Sequence, residues 1–207
     1  MDREIGDKNF GIWLLGDSEP VKWKDKLNFP LDDRHPIIHN IWTSILDKIQ
    51  DQLFKYNRSR MDTHRLFIRN AVDDPNLKPN PNVKDWNEIT GLIENINEYK
   101  KLIYQYRPKL ILSFGAFSYE FGRRCLHEDP PYEYNHWGAK NLGVEYRNKL
   151  NIDDNVKLLP LLHRSIAGGK FIESHEYFCA STDSNYFEYV SNALFKEIKD
   201  CKEIMIK

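Results

Sequence analysis

The sequence is most informative at first for what it has little of. Among 207 residues there are three cysteines, Cys125, Cys179 and Cys201, widely spaced and without a Cys-x-x-Cys pair. A disulfide scaffold, a zinc knuckle and an iron–sulfur centre are therefore not expected, and the three read as reduced thiols. No apolar run approaches the roughly 18 residues that cross a bilayer, and Met1-Asp2-Arg3-Glu4 lacks the charged-then-apolar layout of a secretion signal. A cytoplasmic protein with no membrane partner is the expectation. Charge of one sign is also lacking: 30 Lys and Arg face 31 Asp and Glu, leaving a net of −1. Any polyanion must then be held by a local patch, not by a global field. His35 and His39 stand one helical turn apart with no third ligand in view, so neither a metal nor another cofactor is expected. Repeats and low-complexity tracts are missing as well.

What is present suits one compact domain over residues 1–207. Hydrophobic residues make up 41% and charged residues 29%, enough apolar side chain for a core. Four continuous apolar runs, at 11–15, 66–68, 110–114 and 158–162, have the pattern of strands buried on both faces of a parallel sheet. Between them, Ile37, Ile38, Ile41, Trp42, Ile45, Leu46, Ile49 and Leu53 recur at helical spacing behind Pro36. Ile89 to Tyr106 repeats that spacing until Arg107-Pro108 stops it, a shorter helix is expected after Gly115, and another over about 185–199. Alternating strands and helices predict a three-layer α/β/α sandwich with a central four-stranded parallel sheet. Residues 129–151, aromatic and basic, read as a long inserted loop, with a hairpin as one option.

In open parallel sheets ligands gather beyond the carboxyl ends of the strands. The four strands run there into Gly16-Asp17-Ser18-Glu19-Pro20, Asn70-Ala71-Val72-Asp73-Asp74-Pro75, Gly115-Ala116-Phe117 and His163-Arg164-Ser165. All but Gly115-Ala116-Phe117 carry polar, chemically able side chains.

Taken in order, these segments resemble the motifs of the uracil-DNA glycosylase superfamily over about residues 11–172. Gly16 to Pro20 is similar to its first motif, Phe29 falls on the aromatic that stacks the extruded base, and Leu66-Phe67-Ile68-Arg69-Asn70 matches the strand ending in a base-reading asparagine. Arg107 to Ala116 resembles the family's Arg-Pro-Lys strand. His163-Arg164-Ser165 with Gly168-Gly169-Lys170-Phe171 resembles its last motif, with Arg164 where the family has proline. The resemblance implies a monofunctional DNA glycosylase that hydrolyses the N-glycosidic bond of a flipped-out pyrimidine and leaves an abasic site. DNA would be its partner, with the protein expected to act as a monomer.

The chemistry fits those residue types. Cleavage passes through an oxocarbenium-like sugar and an anionic base, so both charges need stabilising and water must reach C1′. Under the resemblance, His163 hydrogen-bonds the base oxygen, Asp17 or Ser18 holds the water, and Asn70 pairs with the base edge through one acceptor and two donors. Phe29 receives the everted ring. Arg164, Ser165, Gly168, Gly169 and Lys170 would hold phosphates or enter the gap left in the duplex. The bulky tyrosine with which some branches of that superfamily exclude 5-substituted pyrimidines has no counterpart after Asp17-Ser18, so the resemblance implies a modified cytosine as readily as uracil. That likeness extends to an antiviral branch removing glucosylated hydroxymethylcytosine from phage DNA.

Other readings remain open at this stage. Phe29 could be core, Asn70 could build an Asx turn, Asp17 could cap a helix, and His163 could fill a strand end. A catalytically inactive glycosylase fold binding DNA or protein is one alternative. A Gly-Asp-Ser esterase with Ser18 as nucleophile is another, although Asp32 to His35 is its only Asp-x-x-His spacing and follows Ser18 too closely.

Overall fold

The computed structural model describes residues 3–19, 27–30, 32, 34–35, 38–163, 171–182 and 185–206. The fold is α/β, with a mostly parallel central sheet flanked by helices. The four expected strands are β2 (Ile12–Gly16), β4 (Phe67–Asn70), β5 (Leu110–Phe114) and β6 (Lys157–Leu161). All are mutually parallel where they pair. A fifth strand absent from the sequence reading, β1 (Glu4–Ile5), adds antiparallel to β4, so the sheet has five strands in the order β1-β4-β2-β5-β6. Two short segments, β3 (Arg60–Met61) and β7 (Met205–Ile206), form a separate antiparallel pair.

The register places Trp13 beside Phe67 and Ile111, and Gly16 beside Asn70. On one face Trp13 meets Phe67 at 4.6 Å and Tyr99 of α2 (Thr90–Tyr106) at 5.8 Å between ring centroids. α3 (Ala116–Cys125) shares that face: Gly122 abuts Leu15 and Leu158, and a Cβ there would come within 2.9 Å of Leu158. On the opposite face, Trp42 meets Phe114 edge-on, and α1 (Thr43–Asn57) packs against α6 (Tyr186–Ile198). α1 is entered through one π-helical turn, Ile38–Trp42, and the apolar stripe read from the sequence becomes buried Ile41, Ile45, Ile49 and Leu53. α2 stops as expected: Arg107 turns left-handed at φ 47° ahead of Pro108, and its N–H donates to Ile103 O at 2.8 Å. Asn185 caps α6 by accepting from Phe187 N at 2.9 Å.

The inserted loop at 129–151 is not borne out. Residues 134–136 make one 3-10 turn, and Ala139–Leu150 is a helix, α4, lying along β6 and α5 (Phe171–Cys179). Leu142 and Tyr146 are buried at helical spacing. Gly143, which reads as a turn residue, instead permits close helix approach: a Cβ there would sit 2.1 Å from Phe178 O. The segment before α4 is organised by Glu120, a fully buried carboxylate of α3. It accepts from Arg123 Nη1 (2.9 Å), Arg124 Nε (2.9 Å), Tyr132 N (2.9 Å) and Trp137 Nε1 (2.8 Å). A buried charge is tolerable when so fully paired.

Among the described residues no helix is long and apolar enough to cross a membrane. All three cysteines are free thiols and buried. Burial pushes the Cys179 thiol up to about 11, so it stays protonated near neutral pH.

Candidate functional site

The chain leaves β2 through α1 to reach β4 on one side, and leaves β5 through α3 to reach β6 on the other. Strands β2 and β5 are neighbours, so the crevice between their carboxyl ends is the topological switch point where such sheets bind ligands. Asp17 and Ser18 follow β2 at this rim, Asn70 ends β4 beside them, and His163 stands two residues beyond β6.

Asn70 and Asp17 are brought together by backbone pairing that continues past the sheet. Ala71 N donates to Gly16 O at 3.0 Å and Val72 N to Asp17 O at 3.3 Å. The Asn70 side chain lies over Gly16, where a Cβ would come within 2.4 Å of its Oδ1. Glycine at 16 is what leaves room for the amide. Asn70 is only 8% exposed, yet among the described residues its amide has no hydrogen-bond partner. The turn role considered for it belongs to Asp74, whose Oδ1 accepts from Asn76 N at 2.9 Å.

The Asp17 carboxylate is half-buried and engaged by Lys78 Nζ, at 2.8 Å from Oδ1 and 2.9 Å from Oδ2. Lys78 follows a 3-10 turn, Pro75–Leu77, in the proline-rich loop after β4. Its ammonium lies 5.0 Å from the Phe117 ring centre and 5.9 Å from that of Tyr134, and these two rings meet edge-on at 5.5 Å. Burial, and then the Asp17 charge, raise the Tyr134 hydroxyl above its ordinary value. Lys78, Phe117 and Tyr134 were not legible as site residues: a lysine in a turn-rich loop looks like solvated surface, and the rings read as core or loop.

His163 is half-buried and packs against Gly115 at the end of β5. Gly115 has φ 92°, a region costly to any residue with a Cβ, and a Cβ there would meet His163 Cβ at 2.7 Å. Gly115 N donates to Leu161 O at 2.8 Å, and Leu162 N donates to the Tyr186 hydroxyl of α6 at 2.9 Å. The backbone leading into His163 is thereby fixed from the sheet and from α6. Tyr186 in turn stacks on His175 of α5 at 4.7 Å, where burial lowers the His175 pKa.

Phe29 is half-buried in the segment that leads toward α1, outside the buried core. Its turn is held by Asp32, which is 4% exposed: Asp32 N donates to Phe29 O at 3.1 Å, and the carboxylate accepts from Asn28 N (3.1 Å), Arg34 N (3.0 Å) and the Arg34 guanidinium (2.6 and 2.7 Å). The Arg34 hydrogen bonds hold the Asp32 carboxyl well below the usual carboxylate range. Asp17, Ser18 and Asn70 thus share one edge of the rim and His163 lies across β2 and β5 from Asn70. No contact joins Phe29 to them among the described residues. Arg164, Ser165, Gly168, Gly169 and Lys170 lie outside the described residues.

Chemically, the rim offers a neutral amide with both donor and acceptor, an imidazole, and a half-buried carboxylate with its own counter-ion. No model of a known protein family matches the chain, and no curated protein matches it at a significant level.

Proposed function

We propose that this protein is a monofunctional DNA glycosylase that removes a flipped-out pyrimidine, either uracil or a modified cytosine such as glucosylated hydroxymethylcytosine in phage DNA. The reading rests first on the resemblance of its ordered motifs. The observation that carries it furthest is Asn70: a residue only 8% exposed whose amide makes no hydrogen bond among the described residues, at the rim where such sheets bind ligands. An amide that no protein group engages is left available to a ligand. A base edge offers the matching donor and acceptor.

In this mechanism the target base leaves the duplex, because C1′ is out of reach in the stack, and its ring rests on Phe29. Asn70 reads the edge. Water adds to C1′ as the C1′–N bond breaks, and the bonding pair leaves with the base. His163 donates a hydrogen bond to the base oxygen as negative charge grows there. Asp17 orients the water and opposes the positive charge on the sugar. Lys78 fixes the carboxylate's direction and occupies one side of it, which suits a positioning role better than strong base catalysis. Arg164 to Lys170 supply phosphate contacts by resemblance alone.

The test is to incubate the purified protein with uracil-containing DNA and with phage DNA bearing hypermodified cytosine, then identify released bases by mass spectrometry. Release of a free base together with an alkali-labile site is expected. DNA binding without release would replace this reading by an inactive glycosylase fold, and turnover of a simple ester would replace it by a hydrolase using Ser18.

A further inference from the structure

At the opposite end of the sheet, a cavity of about 50 Å³ opens between the amino ends of β2 and β5 and the chain after α6. Lys109, the residue before β5, and Cys201, just past α6, both line it. Their Nζ and Sγ atoms are 2.8 Å apart, although the residues are separated by 92 positions. That spacing is unusual for a sulfur. An N–H···O bond has its mode near about 2.9–3.0 Å, and sulfur is the larger atom, so an ordinary N–H···S contact is several tenths of an ångström longer. It is also well beyond a direct bond, since even two sulfurs bond at about 2.0 Å. The free thiol and the amine are thus held close enough for one light atom to bond to both.

The surroundings favour this pairing. Four carboxylates line the cavity, Asp153, Asp154, Glu197 and Glu203; Glu197 is taken by Lys157 at 2.8 Å, and among the described residues none of them comes within ion-pair distance of Lys109. The amine is left with the thiol. Cys201 is 5% exposed, whereas Lys109 is exposed, so small solutes reach the pair from the Lys109 side while larger reagents do not. A cavity of this size admits a diatomic molecule.

We propose that Lys109 and Cys201 are a modification site, at which molecular oxygen joins them through a single bridging oxygen atom, Nζ–O–Sγ. One O2 is consumed per link. Its O–O bond breaks, one oxygen forms new bonds to sulfur and nitrogen, and the other leaves as water with the thiol proton and one amine proton. Sulfur and nitrogen each give up two electrons, and the two oxygen atoms accept the four. The thiolate is the reactive form of a cysteine. The link would tie the segment after α6 to the head of β5, and thiols would reopen it as they do other reversible sulfur oxidations.

The experiment compares full-length protein purified with reductant under nitrogen with the same protein exposed to air. Intact mass should rise by one oxygen less two hydrogens, trypsin should cease to cut after Lys109, and digestion should yield one linked peptide containing Lys109 and Cys201. Dithiothreitol should restore the parent mass. Cys201→Ser and Lys109→Arg should abolish the link, and Cys125→Ser and Cys179→Ser should retain it. If the first two variants fail to fold, the wild-type peptide map still decides. Full alkylation of Cys201 in unfolded, air-exposed protein at the parent mass would overturn the proposal. So would a link lacking oxygen, which is a direct S–N bond, or oxidation confined to Cys201 with Lys109 still cleavable.

Discussion

Glu120 and Asn70 are both polar side chains withdrawn from water in the same domain, and they are treated in opposite ways. Glu120 accepts from two arginines, an indole and a backbone amide, and that set pins the segment before α4 onto α3. Asn70 is 8% exposed, its amide has no partner among the described residues, and it lies over Gly16 at the end of β2. A saturated buried group is spent on the fold. An unsaturated one, held in place by a glycine, is what a binding site retains for its ligand.

The sharpest separation should come from Glu120→Ala. Removing the carboxylate takes one of two carboxylates from buried Arg123, takes the partner of half-buried Arg124 Nε and leaves the Trp137 N–H without its acceptor, and should cost about 3–5 kcal/mol in urea unfolding; a loss below about 1 kcal/mol would erase the contrast. Next, Gly115→Ala forces a side chain into φ 92° and against His163. Denaturation should show a loss of about 1–3 kcal/mol, and base release should fall as the imidazole is displaced. Gly16→Ala presses only on the movable end of Asn70, so stability should change by no more than about 1 kcal/mol while base release declines towards that of Asn70→Ala. Unchanged release with an intact fold would detach Gly16 from the site.

The smallest effect concerns pH. Burial keeps His175 neutral, so its folded pKa lies below its unfolded value of about 6.5. The unfolded chain takes the proton first, and stability should therefore fall as pH drops below about 6.5, levelling once the folded pKa is passed. Unfolding measured between about pH 7.5 and about pH 5 should show this slope, and His175→Gln should flatten it. A slope that survives the substitution would place the titration elsewhere.

Much of the architecture was legible because burial on both faces leaves a simple trace. Leu110 to Phe114 is apolar throughout, and Ile41, Ile45, Ile49 and Leu53 keep helical spacing. Helix α4 was hidden for a physical reason: Gly143 and the asparagines near it look like turn chemistry, whereas the glycine is there to let α5 approach. Strand β1 is only two residues long, below what periodicity can register. At the rim, Asn70 and His163 stand out because each follows an apolar strand directly. Lys78 does not, since its pairing with Asp17 crosses 61 residues and depends on the parallel register of β2 and β4. Glu120 is similar, as two of its partners, Tyr132 and Trp137, lie in a stretch that reads as loop.

Single-turnover base release by the wild type, Asn70→Ala, His163→Ala and the double variant bears most directly on whether the rim serves one everted nucleotide. Each single change should slow release by at least about tenfold, equivalent to about 1.4 kcal/mol, with the fold preserved, and the double variant should lose less than the product of the two because both side chains act on the same base. Full rates in both folded single variants, or a double loss equal to that product, would contradict it.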